Sequence, residues 1–210
     1  ASGSYNVETN FYPSGAPLKI FSDLGVSQIV VVMARGNDEV RVAGNIGTAT
    51  LLDGGEGDDQ LNGGAGNSII IGGDGDDVLL GGNSRDLLIG GNGADRIGGN
   101  SGDDLLIAGR TLYDGNYAAL RAIMAEWART DSQYGSYDMR RAHLRGEAVG
   151  GLNGDYLLST GAGGSIYDDS AVDKLIGSSD RDLYFASLGD EETHDRIVGA
   201  ASDESVFQLL

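Results

Sequence analysis

The sequence predicts a mainly β fold made by stacking short strands, with one small helical insertion. Three features predict it. Between Gly54 and Ile107 a nine-residue unit recurs six times without a spacer: GGEGDDQLN, GGAGNSIII, GGDGDDVLL, GGNSRDLLI, GGNGADRIG, GNSGDDLLI. The eighth position of all six units is a large apolar residue. Helical spacing is confined to residues 110–150, after which weaker copies of the unit return. Self-similarity at a fixed period marks a stack in which each unit buries its apolar face only against its neighbours.

The unit has a direct physical reading. Glycine at positions 1, 2 and 4 lets the chain turn at positive φ. Positions 7 to 9 suffice only for a short strand, in which alternate side chains face opposite ways. The apolar residues Leu61, Ile70, Leu79, Leu88, Ile97 and Leu106 are therefore expected to point inward and stack as one apolar column. The aspartate at position 6 ends each turn. Hard cations take six to eight oxygens from carboxylates and main-chain carbonyls, and a glycine-rich turn beside an aspartate offers both. A flexible linker of similar composition would not keep an apolar residue at every ninth position.

These residues resemble the GGxGxDxUx repeat of RTX (haemolysin-type) calcium-binding proteins, where U is a large apolar residue. The resemblance implies a parallel β-roll, a right-handed β-helix of nonads with two units per coil, and Ca²⁺ as its metal. Units then stack on every second neighbour, in two columns of turns. The first column holds units 54–62, 72–80 and 90–98. It offers Asp59, Asp77 and Asp95, with Gly55, Gly57, Gly73, Gly75, Gly91 and Gly93 in the turns, as metal-site residues. The second column holds units 63–71, 81–89 and 99–107 and departs from the pattern. Ser68 replaces the aspartate, Ser84 the fourth-position glycine with Arg85 beside it, and Asn100 the second glycine. Asp86 and Asp104 remain there as candidate ligands, so fewer or weaker sites are expected.

Residues 1–53 are expected to form an N-terminal β cap, with strands at Leu18–Ser22 and Gln28–Met33. GNDEVR at 36–41 is a partial unit that places Asp38 at position 6, as a further candidate ligand, and Val40 at U. Residues 42–53 take twelve positions in place of nine. Residues 54–109 form the calcium-binding roll. Residues 110–150 form the helical insertion: Asp114 or Asn116 can cap a first helix, with Leu120, Ile123, Met124 and Trp127 at helical spacing. A second helix is expected over Ser136–Arg145, stopping at Gly146. Six of the 14 basic residues lie in this stretch, and pairing with the acidic turns of the same chain is their expected role. Residues 151–210 carry degenerate units at 168–176, 177–185, 190–198 and 199–207, which keep the apolar position and lose the glycines.

One consequence follows from positions 7 and 9, which flank U and point away from the core. They are mixed in the first column. In the second they are aliphatic throughout: Ile69, Ile71, Leu87, Ile89, Leu105 and Ile107. A contiguous apolar face of that size requires a cover. The helix of Leu120 to Trp127 is the expected one, ahead of a second copy of the chain.

The tail, with YAALRAIMAEW at 117–127, GLNGDYLL at 151–158 and DRDLYF at 180–185, is similar to the C-terminal module of large planctomycete surface proteins that carry haemolysin-type repeats. This resemblance implies a secreted or cell-surface setting. The formal charge of −18 opposes nucleic-acid binding, which needs a basic face. No run of about 20 apolar residues is present to span a membrane. Cysteine is absent, which excludes disulfides and thiolate metal sites. No GxSxG, HExxH, phosphate-binding loop or cysteine nucleophile occurs, so no catalytic residue is assigned. The aspartate pairs recur with the unit, whereas a catalytic pair would be singular. The expected function is a calcium-stabilised, non-enzymatic extracellular structural or assembly module, with self-association into a filament or surface layer as one use. The alternative is the secretion and folding domain of a larger RTX enzyme or adhesin, compatible with the ending DESVFQLL.

Overall fold

In the computed structural model, residues 3–8, 26–177, 180–189 and 194–209 are described. The strand expected at Leu18–Ser22 lies outside them, as do residues 190–193 of the third degenerate unit. Two parallel sheets dominate. The first runs in the order β1 (Gly3–Glu8), β2 (Val26–Val32), β4 (Ala49–Glu56), β6 (Ser68–Asp74), β8 (Leu87–Asn92), β10 (Leu105–Ile107), β14 (Leu183–Ala186), β16 (Ser205–Gln208). The second runs β3 (Glu39–Arg41), β5 (Gln60–Asn62), β7 (Val78–Gly82), β9 (Arg96–Asn100), β13 (Lys174–Ile176), β15 (Arg196–Val198). From β2 onward successive strands alternate between the sheets, interrupted only by the short pair β11 (Arg110–Thr111) and β12 (Ile166–Tyr167).

This alternation decides where the U residues go. Consecutive units feed opposite sheets, so the U residues form two ladders in place of one column. Val31, Leu52, Ile70, Leu88, Leu106 and Tyr184 are in register across the first sheet. Val40, Leu61, Leu79, Ile97 and Leu175 are in register across the second. All are buried and belong to a single core cluster. Equivalent residues are 18 apart within the repeats, 21 apart before them and 22 apart at the end. The segment expected as a cap thus supplies β2, β3 and β4, strands of the same two sheets.

The aliphatic outer face of the first sheet is covered. Ile69, Ile71, Leu87, Ile89, Leu105 and Ile107 are buried, none more than 3% exposed. Against them lie Leu120, Ile123, Met124 and Trp127 of α1 (Tyr117–Trp127), with Tyr137 and Leu144 of α2 (Tyr137–Leu144). Each buried aliphatic chain contributes about 1.5–3 kcal/mol, enough to hold two short helices that would not persist alone. The outer face of the second sheet stays wet: Gln60 and Arg96 are exposed.

Local signals set the helix ends. The Asn116 side chain accepts the Ala119 N–H, and the Ser136 hydroxyl accepts that of Met139. Gly146 at φ +71° ends α2. Asp114 does not cap α1; it accepts from the Thr111 N–H and binds the Thr111 hydroxyl. The insertion leaves the coil through β11 and returns through its antiparallel partner β12, with Arg110 opposite Tyr167. The coil therefore continues in register. Lys174 N–H bonds to the Asp95 carbonyl at 2.8 Å, as Val78 bonds to Asp59 at 2.8 Å within the repeats.

Candidate metal centre

Each position-6 aspartate is tied to the coil before it. The N–H of Asp38 donates to Asp59 Oδ1 at 2.7 Å, that of Asp59 to Asp77 at 2.7 Å, and that of Asp77 to Asp95 at 2.8 Å. The second column repeats the pattern. Ser68 N–H donates to Asp86 Oδ1 at 2.6 Å, Asp86 to Asp104 at 2.9 Å, and Asp104 to Asp182 at 2.8 Å. One carboxylate oxygen of each aspartate is thereby fixed by the backbone one coil away.

The other oxygen is not. Oδ2 of Asp59, Asp77 and Asp95 in the first column, and of Asp86 and Asp104 in the second, is buried without a hydrogen-bond partner. So is Oδ2 of Asp173, which extends the first column beyond the repeats. Burial is the largest influence on all six and disfavours their charged form. It raises Asp59 to about 6, Asp77 to about 7, Asp86 and Asp95 to about 8, Asp173 to about 9 and Asp104 to about 10. A buried carboxylate oxygen without a proton donor suits a hard cation.

Carbonyls meet these oxygens at position 1. A Cβ placed on Gly72 would lie 2.3 Å from Asp77 Oδ2 and 2.4 Å from the Gly90 carbonyl oxygen. The same Cβ on Gly54 would lie 2.2 Å from Asp59 Oδ2 and 2.4 Å from the Gly72 oxygen. Carboxylate and carbonyl thus converge on one small space that only glycine leaves open. In the second column the convergence is looser: at Gly81 the carbonyl of Gly99 lies at 2.9 Å. Residues 53–88 and 81–110 match the RTX calcium-binding nonapeptide repeat, in four copies. No curated protein and no solved structure matches the chain.

The remaining expected residues of the RTX turns are placed as follows. Gly55, Gly57, Gly73, Gly75, Gly91 and Gly93 all take positive φ. At Gly73 (φ +117°) a Cβ would meet the Gly55 carbonyl oxygen at 2.1 Å, so successive turns stack backbone on backbone. Asp38 joins the ladder through its N–H, and its side chain is half-buried. Asp58 and Asp76 lie outside the buried ladder: Asp58 Oδ1 accepts the Asp76 N–H at 3.0 Å, on the exposed side. Among the described residues no three His, Cys, Asp or Glu side chains converge. Each candidate site therefore draws on main-chain carbonyls as well as carboxylates. Sequence reasoning read the unit of Asp173, DDSAVDKLI, as kept for packing, and it expected position 1 to turn at positive φ, whereas Gly54, Gly63, Gly72, Gly81, Gly90 and Gly99 do not take positive φ and are instead crowded by the position-6 side chain.

The departures in the second column have structural partners. Ser84 Oγ donates to the Ala65 carbonyl at 2.8 Å. Arg85 donates to the Arg129 carbonyl at 3.0 Å and pairs with Asp103 at 3.4 Å. Arg140, itself buried, pairs with the same Asp103 carboxylate at 2.5 Å. This turn is thus joined to the helical insertion. His143 also has an internal role: its Nδ1 lies 2.5 Å from Glu126 Oε1 and its Nε2 3.1 Å from the Val149 carbonyl. Glu126 Oε2 accepts the Leu152 N–H at 2.7 Å. Both side chains of the pair are fully buried, and their bonds to Val149 and Leu152 tie the 149–152 loop to the helices.

Proposed function

We propose that this chain is a calcium-stabilised, non-enzymatic structural module of a secreted or cell-surface RTX-type protein, and that its alternating sheets close as a parallel β-roll. The observation that carries the reading is the stack of buried carboxylate oxygens without partners. Asp59, Asp77, Asp95, Asp86 and Asp104 would hold the ions, with the carbonyls of the glycine turns beside them. Calcium supplies positive charge inside a stack whose own charges repel. The ladder bonds fix Oδ1 of each aspartate and so aim Oδ2. The position-1 glycines keep room for an ion next to it.

Extracellular modules bind calcium at about 10⁻⁴–10⁻³ M, and binding free energy at such a site is folding free energy. The stack would therefore remain loose at cytosolic calcium and set outside the cell. The likeness of the tail to planctomycete surface proteins supports the same setting. No helix among the described residues is long and apolar enough to cross a membrane. Circular dichroism of the calcium-stripped chain, followed by calcium titration, tests the proposal: β signal and melting temperature should rise together. An identical spectrum and melting temperature with and without calcium would refute it.

A further inference from the structure

We propose that the outer face of the second sheet is a binding surface for an acidic polysaccharide. Arg96, Lys174 and Arg196 form a row of cations across it, with a row of aliphatic side chains alongside. Strand register alone builds this surface, so the inference goes beyond the calcium sites and does not depend on them.

Position 7 of the units supplies Val78, Arg96, Lys174 and Arg196, paired strand to strand in that order. Position 9 supplies Leu80, Gly98, Ile176 and Val198 in the same register. No acidic residue stands in either row, in a chain with 32 acidic and 14 basic residues. The turns beside the cations have lost their position-5 carboxylates as well: Asp58 and Asp76 give way to Ala94, Val172 and His194. Like charges directly opposite one another destabilise a sheet, yet three cations follow here on consecutive strands. Neither Arg96 nor Lys174 forms an ion pair among the described residues. Elsewhere the basic side chains are matched internally. Arg41, at the far end of the same face, pairs with Glu39. Arg85, Arg129, Arg140 and Arg181 all pair with carboxylates at or within the insertion.

The face is open. Arg96 and Arg196 are exposed, Lys174 and Ile176 are half-buried, and Val198 is 41% exposed. A Cβ on Gly98 would lie 3.0 Å from Leu80 Cδ2, so Leu80 leans over the glycine and the aliphatic row is continuous. Neighbouring strands lie about 4.8 Å apart, so the cations advance by close to one sugar ring per strand. A polyuronate carries a carboxylate on every sugar and presents the C–H faces of its rings beside it. Its carboxylates would meet the cations while the rings lie on Leu80, Ile176 and Val198. Duplex nucleic acid has phosphates for the first row and nothing apolar for the second. Three aliphatic chains lying flat are too few to enter a lipid layer. The formal charge of −18 does not decide the matter, because charges beyond about 8 Å are largely screened at physiological ionic strength. The row itself governs what docks here.

The test is titration calorimetry of the full chain in calcium buffer with hexaglucuronate, with cellohexaose as an uncharged sugar of the same length, and with duplex DNA. Hexaglucuronate should bind, more weakly as salt is raised, and cellohexaose should not. Arg96→Gln/Lys174→Gln keeps both side-chain stems and should weaken binding about tenfold or more, the scale for two cations facing an anionic surface. Val198→Ser should weaken it without changing the salt dependence. Arg41→Gln, on the same face, should match wild type. None of these side chains lies in the core, so no variant should melt below wild type. A wild type that does not bind hexaglucuronate, equal binding by the double variant, equal binding of cellohexaose, or tighter binding of DNA overturns the proposal. So does sedimentation showing wild-type oligomers that the double variant does not form, since a second copy of the chain would then occupy the row.

Discussion

The indole N–H of Trp127 donates to the carbonyl oxygen of Asp103 at 2.7 Å. The only tryptophan of the chain is therefore bonded directly to a repeat turn, and it is fully buried. Its ring stacks edge-on to Tyr137 at 5.6 Å and carries the Arg140 guanidinium at 4.7 Å. The helical insertion is thereby fixed to the second column, on the turn where Arg85 and Arg140 meet Asp103.

Trp127 emission should thus be that of a buried indole at every protein concentration. A red, solvent-exposed spectrum in dilute solution would show that the first sheet is covered by something other than α1. Trp127→Phe removes the donor to the Asp103 carbonyl and leaves a void. It should cost about 2–4 kcal/mol in urea unfolding with calcium present.

Aspartates of the two columns should differ in what their loss removes. Asp77 has an aspartate with an open oxygen on each side, Asp59 and Asp95, whereas Asp86 has Ser68 on one side. Asp77→Ala should lose more bound calcium than Asp86→Ala in isothermal titration. Equal losses would mean that the two columns are equivalent.

Glycine replacements should separate the ion space from the backbone. In Gly72→Ala the new methyl would occupy the space between Asp77 Oδ2 and the Gly90 carbonyl, so calcium affinity should fall. Gly73→Ala forces positive φ on alanine and drives a methyl into the Gly55 carbonyl. It should destabilise the fold by at least about 1–3 kcal/mol, even before calcium is added. Gly115→Ala, which meets nothing within 4 Å, should behave as wild type in melting experiments.

The calcium-stripped protein should be more stable in mild acid than in mild base. Burial raises Asp59 to about 6, Asp77 to about 7, and Asp86 and Asp95 to about 8 in the fold. In the unfolded chain they ionise near ~3.9. Between those values the folded state holds protons that the unfolded state releases, so stability falls as pH rises. It is fully present below about 4 and lost through the range 6 to 8. Calcium competes with those protons, so saturating calcium should shrink or reverse the trend. A stripped protein that melts higher at pH 8 than at pH 5 would contradict the burial of these groups.

The sequence by itself determined the nine-residue rhythm and most of what is local. Each U residue of Gly54–Ile107 is buried, and each aliphatic flank of the second column lies under a cover, because strand alternation follows directly from spacing. Asn116 was legible, beside Asp114, as a candidate cap because the bond spans three residues; Ser136, expected as the first residue of the second helix, proves to be its cap. Of the apolar positions in the weak units after residue 168, Leu175 and Tyr184 enter the core as the spacing predicts, whereas Ile197 is half-buried and Val206, on the last strand of the stack, is exposed. The tertiary structure alone decided what depends on stacking. That Oδ1 of each aspartate binds the backbone one coil away, leaving Oδ2 alone, requires the register of neighbouring strands. That position 1 must be glycine follows from a carboxylate and a carbonyl arriving from two different coils. That Asp173 stands next to Asp95 across 78 residues depends on β11 and β12 returning the chain to the point it left. Periodicity encodes the conformation of a unit; which units become neighbours is fixed by burial of the two sheets against each other and of the first beneath the helices.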